Sequence, residues 1–113
     1  MVSPVVVTQK NRPLSQAIKL FENKSISAVP VLSMEGEVEG IVTRSDISSE
    51  NDLQIPIAFV MSGKTFVISP QSNIKDAAAM MVKHHVHHLV VMDEGQVIGI
   101  VSSMDFVKYM ARD

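Results

Sequence analysis

Two short segments set a hydroxyl and a carboxylate three positions apart, a combination suited to binding. Gly40-Ile41-Val42-Thr43-Arg44-Ser45-Asp46 and Gly99-Ile100-Val101-Ser102-Ser103-Met104-Asp105 each run from a glycine through apolar residues to a hydroxyl residue, with an aspartate three positions later. An ionised carboxylate is acceptor-only, and its two oxygens suit a pair of vicinal hydroxyls such as those of a ribose. At the start of a helix the same aspartate is also among the best caps for free backbone N–H groups. The local sequence leaves both roles open. Thr43 and Ser102 end the preceding apolar run beside that helix start, where a hydroxyl and free N–H groups suit a phosphate. The ordinary alternative is a hydroxyl that satisfies its own turn.

A third segment is His84-His85-Val86-His87-His88, which holds all four histidines. Neutral imidazole is a common metal ligand, and on a continuous helix His84 and His88 would share a face. The surrounding pattern instead ends a helix near His84 and starts a strand near His88. No Asp, Glu or Cys adjoins the cluster to complete a site. Histidine at a helix C-terminus also has a simple electrostatic rationale.

These residues must be positioned by elements, and an internal repeat shows which. Besides the glycine-to-aspartate segment, Leu14, Ala17, Ile18 and Phe21 recur as Ile74, Ala77, Ala78 and Met81. The two frames differ by one residue because Ser33-Met34-Glu35-Gly36 stands against the shorter Asp93-Glu94-Gly95. Each copy predicts a short strand (Val5 to Thr8; Phe66 to Ile68), a polar break, and a helix with apolar residues on one face. A hairpin follows, Ala28–Leu32 with Val38–Thr43 and His88–Met92 with Val97–Ser102, turning on Glu-Gly. A second helix starts near each aspartate. The last one, about Met104 to Ala111, is expected to bury Phe106, Val107 and Met110. The fold class is therefore α+β: two β-α-β-β-α repeats, packed sheet to sheet about a pseudo-twofold axis. Residues 1–50 form the first repeat, 51–60 a linker and 61–113 the second repeat. The polar stretch Ser48 to Gln54 joins the halves, and apolar Ile55 to Met61 is expected as a short helix leading into the second copy. A single half of this size buries too little surface to be secure alone.

Composition narrows the function. Apolar residues are 46% of the 113 and aromatics 4%, so the core is built from aliphatics and the eight Met. A net charge of −2 and few aromatics disfavour a nucleic-acid surface. The absence of cysteine removes disulfides, thiolate metal sites and cysteine nucleophiles. No apolar run approaches the roughly 18 residues of a membrane helix, and Met1-Val2-Ser3-Pro4 has no basic, apolar signal. A cytoplasmic protein with no membrane partner is expected. No Gly-rich phosphate loop or activated nucleophile points to an enzyme.

The paired glycine-hydrophobic-x-Thr/Ser-x-x-Asp motifs, together with Val29-Pro30-Val31, resemble a pair of cystathionine β-synthase (CBS) domains, over nearly the whole chain. The resemblance implies a regulatory module that binds AMP, ADP, ATP, S-adenosylmethionine or a related adenosyl ligand in clefts between the repeats. It also implies a homodimer and a regulated enzyme or transporter. By that resemblance Asp46 and Asp105 hold ribose, Thr43 and Ser102 touch ribose or phosphate, and His87 and His88 face phosphate, completing the cleft that uses Asp46. His88 stands where relatives more often have Arg, so that grip should weaken as imidazole loses its proton. Ser27 and Ala28 occupy the matching places in the first copy, which makes the two clefts chemically unequal. Thr8, Pro30 and Ile68 fall where the family forms its adenine slot, although their residue types alone read as core. Arg44, Lys108 and Arg112 are further cations, ordinarily just solvated. Two other readings stand beside this one: a ligand-free dimerisation or docking module, and a metal-binding module using the His84–His88 cluster.

Overall fold

Leu14, Ala17 and Phe21 share one face of a 3.6-residue period. They are the buried side of helix α1 (Leu14–Lys24) in the computed structural model, which describes residues 6–24 and 26–112. Two small sheets, of two and three strands, alternate with helices, as the α+β reading expected. The chain divides into two compact units, Val6–Thr65 and the part from Phe66 onward.

In the first unit, strands β1 (Ala28–Leu32) and β2 (Val38–Thr43) form an antiparallel hairpin with Ala28 opposite Thr43. Helix α2 (Arg44–Ser48) follows without a break. Val29, Val31, Val42, Ile47 and Ile57 join the α1 face to make the core. Each such side chain contributes about 1.5–3 kcal/mol through burial. Of the strand expected at Val5 to Thr8, Val5 lies outside the described residues. Only Thr8 pairs, through a single parallel bridge to Val31.

The stretch 51–60, expected as a linker, is built into this unit. Leu53 and Ile55 carbonyls accept the Ser15 and Leu14 amides at 2.9 and 3.0 Å, which satisfies donors that a helix start leaves free. Instead of the expected short helix over 55–61 there is one 3-10 turn, Ile57–Phe59, led by Pro56 at φ −64°. Ile57 is fully buried. Ile41 and Ser62 then exchange both backbone bonds at 2.9 Å beside Gly40. A Cβ on Gly40 would stand 2.8 Å from both the Met61 sulfur and the Ser62 carbonyl.

In the second unit, β3 (Val67–Ile68) runs parallel to β4 (His88–Asp93), which pairs antiparallel with β5 (Gln96–Ser102). Glu94 and Gly95 both have positive φ, 51° and 78°, the twist that a two-residue hairpin turn prefers. Helix α3 (Ile74–His84) is capped by Asn73, whose side-chain oxygen accepts the Asp76 amide at 2.8 Å. Ala77, Met81, Leu89, Val91 and Val101 form the core, with Phe66, Ile68 and Phe106 packed against it.

Helix α4 (Ser103–Ala111) departs from expectation. Phe106 packs inward, but Val107 and Met110 are 51% and 72% exposed, not buried. Val107 lies about 100° round the helix from Phe106. Met110 is on the Phe106 stripe but one turn further on, beyond the packed residues. Among the described residues no helix is long and apolar enough to cross a membrane.

Candidate functional site

Each strand-to-helix junction is closed by the same reciprocal pair. The Thr43 hydroxyl accepts the Asp46 amide at 3.2 Å, and Asp46 Oδ2 accepts the Thr43 amide at 2.9 Å. In the second unit the Ser102 hydroxyl accepts the Asp105 amide at 3.3 Å, and Asp105 Oδ2 accepts the Ser102 amide at 2.8 Å. Both are capping boxes, with Thr43 and Ser102 as the caps and the aspartates at the third helical position. This revises the capping alternative read from sequence: the hydroxyl residue is the cap, and the aspartate answers it from inside the helix. A carboxylate one turn into the helix points back to the cap amide, so the cap stays with the side chain that precedes the helix. Oδ2 carries the capping bond in both boxes, and Oδ1 stands outside it. Both aspartates and both caps are half-buried, so they are held firmly yet within reach of solvent.

The first strand of each hairpin delivers the neighbouring expected residues to these boxes. Ala28 pairs with Thr43, and the Ser27 carbonyl accepts the Arg44 amide at 3.1 Å. His88 pairs with Ser102, and the His87 carbonyl accepts the Ser103 amide at 2.8 Å. Thus Ser27, Ala28, Thr43 and Asp46 come together in one unit, and His87, His88, Ser102 and Asp105 in the other. Ser27 and His87 are exposed, His88 is half-buried and Ala28 is buried.

Thr8, Pro30 and Ile68 sit deeper. Thr8 is fully buried, donates its hydroxyl to Gln16 Oε1 at 2.6 Å, and pairs through its backbone with Pro30 and Leu32. Pro30 is also fully buried. Ile68 is half-buried and lines a small pocket of about 140 Å³ with Ser69, Pro70 and Phe106.

The histidine run is split by the fold. His84 ends α3 and stacks on Phe66, with ring centres 3.9 Å apart. His85 adopts the left-handed conformation, φ 55° and ψ 45°, His87 lies in the bend that follows, and His88 opens β4. Among the described residues no group of three or more His, Cys, Asp or Glu is placed to hold a metal ion.

Sequence reasoning missed two features. Ser45 shares a hydrogen bond of 2.9 Å with the Thr43 hydroxyl, a contact that its place beside the cap could have signalled. Arg44, read as a solvated cation, donates to the Ile26 and Phe21 carbonyls. Those partners lie far back in the chain, and no spacing rule points to them.

The family model for the CBS domain matches residues 1–51 and 57–112. An uncharacterised protein of Methanocaldococcus jannaschii is 31% identical, over 96% of this chain and 86% of its own length. The gamma subunit of 5'-AMP-activated protein kinase from Dictyostelium discoideum is 27% identical over 96% of this chain, which spans 22% of that relative. Among solved structures, a protein with CBS domains from Burkholderia ambifaria superposes with a TM-score of 0.84 at 29% identity, covering 96% of this chain and 84% of that one. A CBS domain pair solved with 5'-methylthioadenosine and S-adenosyl-L-methionine gives a TM-score of 0.85 at 22% identity, covering 97% of this chain and 90% of that one. With that domain matched once on each repeat and the fold shared with known CBS pairs, the chain belongs to the CBS domain family.

Proposed function

We propose that this CBS pair is a regulatory module that senses an adenosyl ligand, with AMP or ATP first in line and ADP and S-adenosylmethionine as related candidates. Asp46 and Asp105 take the ribose hydroxyls, and Thr43 and Ser102 stand beside the phosphate. The observation that carries this reading is the twin capping box. In both units one carboxylate oxygen is tied to the cap amide and the other lies outside that bond, so capping and ribose binding use different atoms. His87 and His88 beside Ser102 add polar contacts that Ser27 and Ala28 do not match, so the two aspartates serve unequal sites. The kinship with a subunit of an AMP-activated kinase and with a pair holding two adenosyl compounds supports the ligand class.

A thermal-shift screen of AMP, ADP, ATP, S-adenosylmethionine and NAD tests the reading. A ligand at a hundredfold excess over its dissociation constant should stabilise the chain by about 2.7 kcal/mol. Asp46→Asn and Asp105→Asn keep an acceptor for the cap amide. They should therefore leave the unliganded Tm nearly unchanged while removing the response of their own site. No response from the parent chain to any of the five would favour the alternative, a ligand-free dimerisation or docking module. The exposed apolar residues of α4 keep that second reading in view.

A further inference from the structure

The two repeats finish the first helix of each unit in different ways, and the difference leaves a pocket. In the first unit the Arg44 side chain reaches back over the end of α1. Its Nη2 donates to the Phe21 carbonyl at 2.8 Å and its Nε to the Ile26 carbonyl at 2.9 Å, with the guanidinium 5.4 Å from the Phe21 ring centre. A cation there meets the negative end of a helix dipole.

The second unit repeats that backbone frame without the arginine. Ser103 N–H donates to the His87 carbonyl just as Arg44 N–H donates to Ser27, and Ser102 faces His88 as Thr43 faces Ala28. Ser103 therefore occupies the place of Arg44 with a far shorter side chain. Where the guanidinium would lie, there is an open pocket of about 390 Å³ lined by Met81, Val82, His85, Val86, His87 and Ser103. Met81 and Val86 are the counterparts of Phe21 and Ile26. The Met81 carbonyl already accepts the His85 and Val86 amides. By the match to Ile26, which accepts from Arg44 Nε, the Val86 carbonyl is the acceptor in this place.

We infer that this pocket receives the guanidinium of an arginine side chain presented by a partner protein, in the place that Arg44 fills within the first unit. The apolar wall of Met81, Val82 and Val86 suits the aliphatic stem of such a side chain. In the first unit a guanidinium spans two carbonyls from different stretches of backbone, which suits a planar group with five donors better than the point charge of lysine. The inference goes beyond the adenosyl reading and gives Asp105 no part.

The test is a titration of the ¹⁵N-labelled chain with acetyl-Gly-Arg-Gly-amide, followed by amide chemical shifts. Saturable shifts at Val82, His85, Val86, His87 and Ser103 are expected, with a much weaker response to the lysine analogue. Ser103→Arg should fill the pocket from within, abolish the response and raise Tm, whereas Ser103→Ala should retain it. The inference is overturned by no saturable shift, by an equal response to the lysine peptide, or by free L-arginine binding more tightly than the blocked peptide. Persistence of the response in Ser103→Arg would also overturn it. The wild-type arms decide even if the variant fails to fold. An AMP titration of the same sample reads the adenosyl proposal separately, so either can fail while the other stands.

Discussion

The smallest features that matter in this chain are side chains at helix ends. Thr43 and Ser102 each accept an amide that would otherwise lack a partner, and Asp46 and Asp105 complete the exchange. Removing a cap of this kind costs about 1 kcal/mol. Thr43→Ala and Ser102→Ala should each lower the unfolding free energy by about that amount, measured by urea denaturation; an unchanged midpoint would remove the box from the stability of the junction. His85 poses the opposite case. It holds a left-handed backbone at the end of α3, where a non-glycine residue is disfavoured by about 1–2 kcal/mol and glycine is the usual choice. His85→Gly should stabilise the chain by about 1 kcal/mol in the same assay, once the extra freedom of the unfolded glycine is counted. A histidine kept at some cost to stability also lines the pocket beside Ser103.

At the scale of elements, the first unit depends on a return stretch that a linear reading takes for a connector. Residues 53–58 bond along residues 10–15, cover the start of α1 and insert Ile57 into the core. Gly40 makes room for the residues that follow this stretch, Met61 and Ser62, where Ser62 pairs with Ile41. Gly40→Ala would drive a Cβ into backbone, which cannot move without breaking that pairing. A loss of about 1–3 kcal/mol is expected, as for other overpacked sites. A Tm within a degree of the parent would show that the stretch can shift freely. Arg44 is a second device at this scale, binding the end of α1 and Ile26, the residue before Ser27, to the capping box. Arg44→Ala should weaken the ligand response that belongs to Asp46 and leave that of Asp105 intact, with thermal shift on the Asp→Asn backgrounds as the readout.

For the whole molecule, helix α4 turns a group of apolar side chains outward. Met104, Val107, Tyr109 and Met110 are all more than half exposed, and exposed apolar side chains grouped on one helix suit an interaction surface. The homodimer implied by the CBS resemblance would bury it. The double substitution Val107→Glu and Met110→Glu adds charge at positions that contribute little to the core. It should turn a dimer into a monomer by light scattering while leaving Tm close to the parent's. An unchanged mass would move the self-association surface elsewhere.

Features written in local spacing can be read from residue order. The recurrence of Gly40-to-Asp46 at Gly99-to-Asp105 marked the repeat, and the Glu-Gly turns marked both hairpins. The i, i+3, i+7 series marked the buried face of α1; in α3 it held for Ala77 and Met81 but not for Ile74, which is exposed. The aspartates could be placed at strand-to-helix junctions for the same reason, since periodicity and turn chemistry act over a few residues. Tertiary structure alone decided which groups meet across long stretches of chain. The reach of Arg44 to Phe21, the return of Ile57 to the first core and the burial of Thr8 against Pro30 leave no mark on neighbouring residues. The outward face of α4 was illegible for a related reason: several apolar stripes were available on one short helix, and which stripe turns inward depends on what lies opposite it. The split of the histidine run, by contrast, was legible: the pattern ended a helix near His84 and started a strand near His88, as found, and only the left-handed turn at His85 between them carried no mark.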